Sequence, residues 1–505
     1  MSIQRTMQTL VRGGQWRKIW GNALLAVLGM TVSVSAHSNG AMLIPAGDKS
    51  LRDDIQWLVD RRVIDISVST WPLPVSQLEH ALANRRRDGL TSGDVHALIS
   101  VKNYIKYRMA NTVGVAAAFN AGKEPVTGFE SQSRAFATSS VYGQGGNEYF
   151  AGRLQVNHLL SPVSSKQSRV NLEGSYISSN VAGQNLYFGQ IGHWWGPGQE
   201  GSLIWSNAGT AIPGFGLKRA QELPIESRFL SWVGPWGYDL FFGQMQHDTA
   251  VSNPKVFALR VYARPTKGLE IGASRFIQWG GGGRGNGLGS LWDAFIGNSN
   301  TKGGDDPGNE IAGIDVRYTF NAFNNPLTLY GQLIGEDEAG LMPSKHIIQI
   351  GAQYKHFSGR NRIQWHAEAT DTASRHLFGL REALPGATYR HHIYTNGLYH
   401  DGLPIAYFAG GKSQVYSVGV SVVPSDYQNY SKFSVRLMQA NINSDQDINF
   451  AFPKRDKWYG VSAGVSWILR PLTFNAAASV MRSRQSGANN SFGLLFSVDI
   501  PLAVM

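Results

Sequence analysis

The stretch SFGLLFSVDIPL (Ser491 to Leu502) decides the fold. In an extended chain successive side chains point to opposite faces, so Phe492, Leu494, Phe496, Val498, Ile500 and Leu502 share one side while Gly493, Ser497 and Asp499 lie on the other. The same period of two runs upstream through YSVGVSVV (Tyr416 to Val423), YGVSAGVSW (Tyr459 to Trp467), IDVRYTF (Ile314 to Phe320), IIQIGAQY (Ile347 to Tyr354), RIQWHAEA (Arg362 to Ala369) and FALRVYA (Phe257 to Ala263). A soluble sandwich alternates as well. Three further features favour a membrane barrel: the second face carries Gly, Ser, Gln, Arg and Asp as a wet lumen would, aromatics gather near strand ends, and an export signal occurs with no transmembrane helix. Closing the sheet satisfies every backbone hydrogen bond and leaves no edge, as a bilayer demands. About 395 residues follow the helical segment described below, and at roughly 20 to 24 residues per strand and connection they predict ~16 to 20 strands, with eighteen expected.

The export signal lies at the start of the chain. Arg5, Arg12, Arg17 and Lys18 precede the apolar run NALLAVLGMTV (Asn22 to Val32), which leads to the small residues Val34, Ser35 and Ala36. That order is a secretory signal peptide over residues 1–36, and its apolar run is shorter than the ~20 residues a membrane anchor needs. The formal charge of +11 contains those four cations, so the mature chain carries +7, too diffuse to imply nucleic acid. Charged residues are only 16% of the 505, glycines number 58, and aromatics reach 11%, a balance that suits a turn-rich β-protein. There is no cysteine, which excludes disulfides, thiolate catalysis and cysteine metal sites.

Residues 48–110 read differently. DKSLRDDIQWLVDRR, PVSQLEHALANRRR and SGDVHALISVKNYIKYRM place apolar residues three and four apart, as in the stripe Leu51, Ile55, Leu58 and Val59. Asp48 and Ser92 or Gly93 are the expected N-caps, and Pro74 lies near the first turn of the second helix. This three-helix unit is expected to serve as a plug or docking platform for the barrel of residues 111–505. RPTKGLE (Arg264 to Glu270), NAFNNPL and LRPLT read as tight turns on one side of the membrane, whereas Gly280 to Glu310 and Asp371 to Lys412 read as long surface loops on the other.

Candidates for chemistry are few. GEDEAG (Gly335 to Gly340) and DDPGNE offer carboxylates, but a glycosidase needs two facing each other ~5 to 9.5 Å apart, and acidic loop tips or calcium ligands are the plainer reading. His391 and His392 are adjacent and would point apart on a strand, which disfavours one shared ion. Neither a nucleophile elbow nor a phosphate loop is present, so no enzyme, metal or cofactor is expected. What remains is a concentration of Trp, Tyr, Gly, Arg and amides in 187–205, 231–247, 275–295 and 389–411, groups that stack on sugars and bond their hydroxyls or carboxylates, or else pack loops and form an interfacial girdle. Trp194, Trp195, Trp279, Arg284, Trp292, Asp337, Glu338, Tyr394 and Tyr399 are the candidate sugar contacts. Because Trp194 and Trp195 are neighbours, their indoles should point in different directions and not form one platform.

LRDDIQWLVDRRVIDISVSTWPL (51–73), GQIGHWWGPGQEGSLI (189–204), WVGPWGYDLFFGQM (232–245), GASRFIQWGGGGR (272–284), DDPGNEIAGID (305–315), YGQLIGEDEAGLMPS (330–344) and HHIYTNGLYHDGLPI (391–405) resemble the Wzi family of outer-membrane capsule assembly proteins. The resemblance runs in order from about residue 48 to the C-terminus. It implies an eighteen-stranded outer-membrane β-barrel with a helical bundle on its periplasmic side and long loops outside. It further implies a lectin that binds capsular polysaccharide or related exopolysaccharide and anchors it at the cell surface. The chain departs from the usual pattern in ending PLAVM, without a terminal aromatic. The other reading of such a barrel is a passive sugar pore. Outer-membrane lipid is the other expected partner, a monomer the expected state, and the positive excess favours an acidic glycan bound less well at high salt.

Overall fold

The structure, a computed structural model, describes residues 39–122, 128–130, 133–246, 250–295, 308–339, 342–376, 388–424, 430–444, 449, 452–469, 471–484 and 490–504, with the backbone alone at 336–339, 342–344, 490 and 503–504. Its strands close into one antiparallel barrel. Closure is made by the last alternating stretch of the chain: Asn490–Val504 pairs with Thr112–Ala121, the first barrel strand, in a register that sets Phe496 opposite Phe119. Val170–Asn171 and Tyr176–Val181 both pair with Phe150–Pro162 and are two pieces of one stave, which makes the barrel eighteen-stranded, as expected.

Burial along the strands is inverted relative to a soluble protein. On Gln414–Pro424 Tyr416 and Val418 are half exposed, whereas Ser417 between them and Gly419 after them are buried. On Gly308–Ala322 Ile314, Val316 and Tyr318 face outward, and Asp315, Arg317 and Thr319 face in. An apolar outside and a hydrogen-bonded inside is the arrangement that hydrocarbon surroundings select. No helix among the described residues is long and apolar enough to cross a membrane. The expected tight turns are present between Thr266 and Leu269 and between Ala322 and Asn325. In the second, Phe323 and Asn324 have φ of 53° and 61°, the two left-handed residues of a turn whose twist matches that of a hairpin.

Among the described residues the α-helices are α1 (Lys49–Asp60), α2 (Val75–Ala83) and α3 (Ser92–Arg108), with a fourth, α4 (Leu288–Phe295), in a loop. Asp48 caps α1 by accepting from the Leu51 N–H at 2.9 Å. Thr91, one residue before the expected Ser92, caps α3 in a capping box with Asp94. The apolar stripe of α1 packs in a core with Trp57, Trp71, Leu78, Leu98 and Val101, but its polar face is buried as well: Arg52, Asp53, Asp54 and Asp60 have almost no exposed surface. The three carboxylates are each paired with a cation of the wall, as so complete a burial of charge demands. Asp60 bonds Arg317 at 2.6 and 2.7 Å and also Lys355, Asp54 lies 2.8 Å from Arg362, and Asp53 bonds Lys432. Burial alone would raise the Asp60 carboxyl, but Arg317 and Lys355 hold it below the usual carboxylate range. The helices thus dock inside the end of the barrel that carries the tight turns.

The long-loop expectation needs correction at 371–412. The strand begun at Asn361 runs on to His376, and much of 388–413 turns into the barrel, where Ile405 to Phe408 are buried. Five consecutive apolar residues, IAYFA, have no reason to stay in water when the lumen can cover them.

Candidate functional site: the filled lumen and its mouth

The chain between the strands Gln184–Gly189 and Gly214–Arg219 does not leave the barrel. It turns inward, and almost every residue from Ile191 to Pro213 is buried. Each end of this inner loop is fixed to a different body. Arg52 of α1 donates to the Gly198 carbonyl at 2.7 Å, the Gly196 N–H donates to the Ser69 carbonyl at 2.9 Å, and the Ser206 N–H donates to the Ile405 carbonyl at 2.9 Å. Side chains of the wall complete the attachment: Gln349 donates to the Gly201 carbonyl at 3.1 Å, and the Glu368 carboxylate accepts from the Gln199 N–H at 2.6 Å. Gly196 has φ of 142°, a conformation a side chain would strain, and this permits the bend in GHWWGPG.

That bend separates the two tryptophans. Trp194 joins the helical core, where Arg52 stands 5.0 Å from its ring and Phe129 meets it edge-on. Trp195 points into the inner-loop core and packs edge-on against Trp205, centroids 5.0 Å apart. Both are fully buried, so neither offers a face to a ligand. His193 stacks on Trp205 at 4.0 Å. Burial, with Lys218 nearby, pushes its pKa down to about 3, so the imidazole is neutral. Its Nδ1 then donates to the Ile191 carbonyl, 2.9 Å away, and Nε2 accepts from the Tyr187 hydroxyl at 2.8 Å. This is a satisfied structural network.

The other candidates lie at the mouth. Trp279 ends its strand buried under Leu291 and Ala294 of α4, with Lys255 5.9 Å from its ring. Tyr394 is buried and donates to the Gly280 carbonyl at 2.9 Å, while Arg284 lies 5.9 Å from its ring. Tyr399 is buried beside Asn449. Trp292 differs: it is 60% exposed and stacks on Phe295 with centroids 5.8 Å apart, leaving its other face open. The structure therefore brings Trp279, Arg284, Trp292 and Tyr394 to one region and sends Trp194 and Trp195 elsewhere. The side chains of Asp337 and Glu338 lie outside the described residues.

Beneath the mouth a cavity of about 500 Å³ remains between α1, α3, the inner loop and one side of the wall. It is lined by Gln155, Asn157, Asn171 and Asn475, and by twelve charged residues. Lys49, Arg108, Arg134, Arg153, Lys432 and Arg436 are balanced by Asp48, Asp53, Glu130, Glu173, Glu200 and Asp499, so the chain's positive excess is not collected here. Arg134 meets Glu173 at 2.8 Å, Arg108 meets Asp499 at 2.7 Å, and Glu200 meets Arg436 and His366 at 2.8 Å each. Burial would raise the Glu200 carboxyl, yet those two partners hold it well below the usual range. Sequence reasoning missed these residues. Alternation marks the strand members as inward-facing, but not which inward positions the inner loop leaves uncovered.

A family model described as capsule assembly protein Wzi matches residues 113–483, most of the chain. The chain belongs to the Wzi family. A 55.8 kDa protein from the cps region of Klebsiella pneumoniae is 33% identical over 484 residues, spanning 95% of this chain and 94% of its own. Among solved structures, Wzi of Escherichia coli superposes with a TM-score of 0.81 at 31% identity, covering 91% of this chain and 99% of that one. That protein is an outer-membrane protein involved in group 1 capsule assembly and a carbohydrate-binding β-barrel. The closed barrel with its apolar outside is accordingly an outer-membrane barrel of this family.

Proposed function

We propose that this protein is a non-catalytic carbohydrate-binding barrel that holds exported capsular or related exopolysaccharide at the cell surface. The observation that carries the reading is the likeness along almost the full chain to a carbohydrate-binding barrel of capsule assembly. The filled lumen supports it over a sugar pore: the docked helices, the inner loop and the inturned 388–413 segment occupy the path that a pore would leave open. The helices and tight turns face the periplasm, and the mouth with Trp292 and Arg284 faces outward, where it meets the polymer. Trp292 supplies a stacking face and Arg284 a planar donor for hydroxyl or carboxylate groups. A repeating polymer multiplies such weak contacts, so avidity replaces a deep single site.

Planar-bilayer recording of the purified chain tests the closed-lumen reading. Silence is expected, and a stable open channel would return the pore as the better account. Incubating the polymer with the protein and measuring chain length tests the non-catalytic claim: unchanged length is expected, and shortening would overturn it.

A further inference from the structure

The loop between the strands Gly214–Arg219 and Trp236–Gln244 stands at the bundle end of the barrel. Ser76 of α2 donates to the Ala220 carbonyl at 3.0 Å, and the Glu222 carboxylate accepts from the Ser67 N–H. Its base is fixed: Pro224 bridges to Pro235, the Arg264 N–H donates to the Pro235 carbonyl at 2.8 Å, and Arg219 lies 4.4 Å over the Trp236 ring. Its tip is apolar and uncovered. Phe229 is 83% and Trp232 66% exposed, with Leu223 and Leu230 also exposed.

These side chains continue a surface whose surroundings are already clear. Beyond the loop the same stave presents Trp236, Tyr238 and Leu240 outward, because Gly237 and Asp239 between them are buried on the lumen side, and the exposed Val261 lies opposite Tyr238. Tyr318 and the turn residue Phe323, both exposed, mark the same end of the barrel further round. Arg228 on the loop and Lys267 on the neighbouring turn are exposed cations at that level, with Glu226 among them. An apolar tip that prolongs the hydrocarbon-facing stripe, flanked by cations at headgroup height, is the composition of an interfacial anchor.

We infer that residues 223–233 form an in-plane membrane anchor whose Phe229, Leu230 and Trp232 enter the phospholipid leaflet at the bundle end of the barrel. Cations at Arg228 and Lys267 meet lipid phosphates there, so the anchor fixes the depth and tilt in the leaflet of the barrel end that holds the helical plug.

The absence of native cysteine makes the test direct. Single-site variants Trp232→Cys and Phe229→Cys carry a fluorescent label on the full chain. They are compared with Val418→Cys on the lipid-facing wall and Arg87→Cys on an exposed loop of the bundle. The proteins are reconstituted into phosphatidylethanolamine and phosphatidylglycerol vesicles holding either a lipid-borne nitroxide or iodide on both sides. At 229 and 232 the lipid quencher should act at least about twofold more strongly than iodide, matching 418, as a side chain sunk in the headgroup and acyl boundary would. Iodide prevailing, as at 87, would place the loop in water and overturn the inference. Quenching by neither would show that protein covers the tip and overturn it equally.

Discussion

Replacing Asp60 by Asn should loosen the plug. The Asp60 carboxylate is buried and accepts from Arg317 at 2.6 and 2.7 Å, from Thr319 at 3.0 Å, and from Lys355. An amide in its place keeps the shape but leaves two buried cations facing each other without an anion. Breaking a buried pair by removing one partner costs about 3 to 5 kcal/mol. At about 1.36 kcal/mol per factor of ten, that raises the opening equilibrium of the bundle on the order of a hundredfold to a few thousandfold. Hydrogen exchange of the intact protein in detergent reads this directly, because exchange of α1 amides reports local opening separately from the strands. Adding Lys355→Met to Asp60→Asn should recover part of the loss, since one stranded charge then disappears, and the coupling would show in a double-mutant cycle. Removal of Lys49, a partly exposed residue 3.5 Å from Asp53, should cost less than about 1 kcal/mol. Unchanged α1 exchange in Asp60→Asn would show that these ion pairs do not hold the helix in the barrel.

Other predictions concern pH, packing and ligand. Burial, with Glu270 close by, pushes the Glu222 carboxyl up to about 7, above its ordinary 4.5, so its contribution to docking Ser67 is full below 4.5 and declines as pH rises through 7. Asp60 and Glu200 have the opposite sign: their contributions are present above the ordinary carboxylate pKa and fade as pH falls below it. Thermal stability should therefore peak between about pH 4.5 and 7, and Glu222→Gln should flatten its alkaline side in calorimetry. Trp195→Ala should destabilise by about 3 to 5 kcal/mol through the cavity it leaves beside Trp205, seen as a lower unfolding temperature. Tyr187→Phe should cost about 1 to 3 kcal/mol, since Nε2 of the buried His193 loses its donor. Trp292→Ala and Arg284→Ala should weaken polysaccharide retention with unfolding unchanged within about 0.5 kcal/mol, as both side chains lie at the mouth.

The barrel was legible because a membrane leaves little choice: period two with an apolar face must become a closed sheet, and Tyr416, Val418 and Phe492 face out as their spacing predicts. The divergence of Trp194 and Trp195 was legible from adjacency for the same reason. The inner loop was not. GHWWGPG announces a bend, but whether it bends outward or into the lumen depends on the room inside, which strand number and tilt set together. The pairs that dock α1 were hidden too. Asp60 meets Arg317 and Lys355, and Asp53 meets Lys432, across hundreds of intervening residues, and no local pattern links such partners. IAYFA at 405–409 did carry a signal, a short apolar run bounded by turn residues that would have been better read as a buried segment.

The most direct test of the account is the affinity of the purified full-length barrel for the cell's own surface polysaccharide, measured beside an unrelated outer-membrane barrel and the Trp292→Ala variant. Saturable binding by the native chain, weaker binding by the variant, and none by the unrelated barrel are expected. Equal retention of polymer by all three would contradict the proposed function.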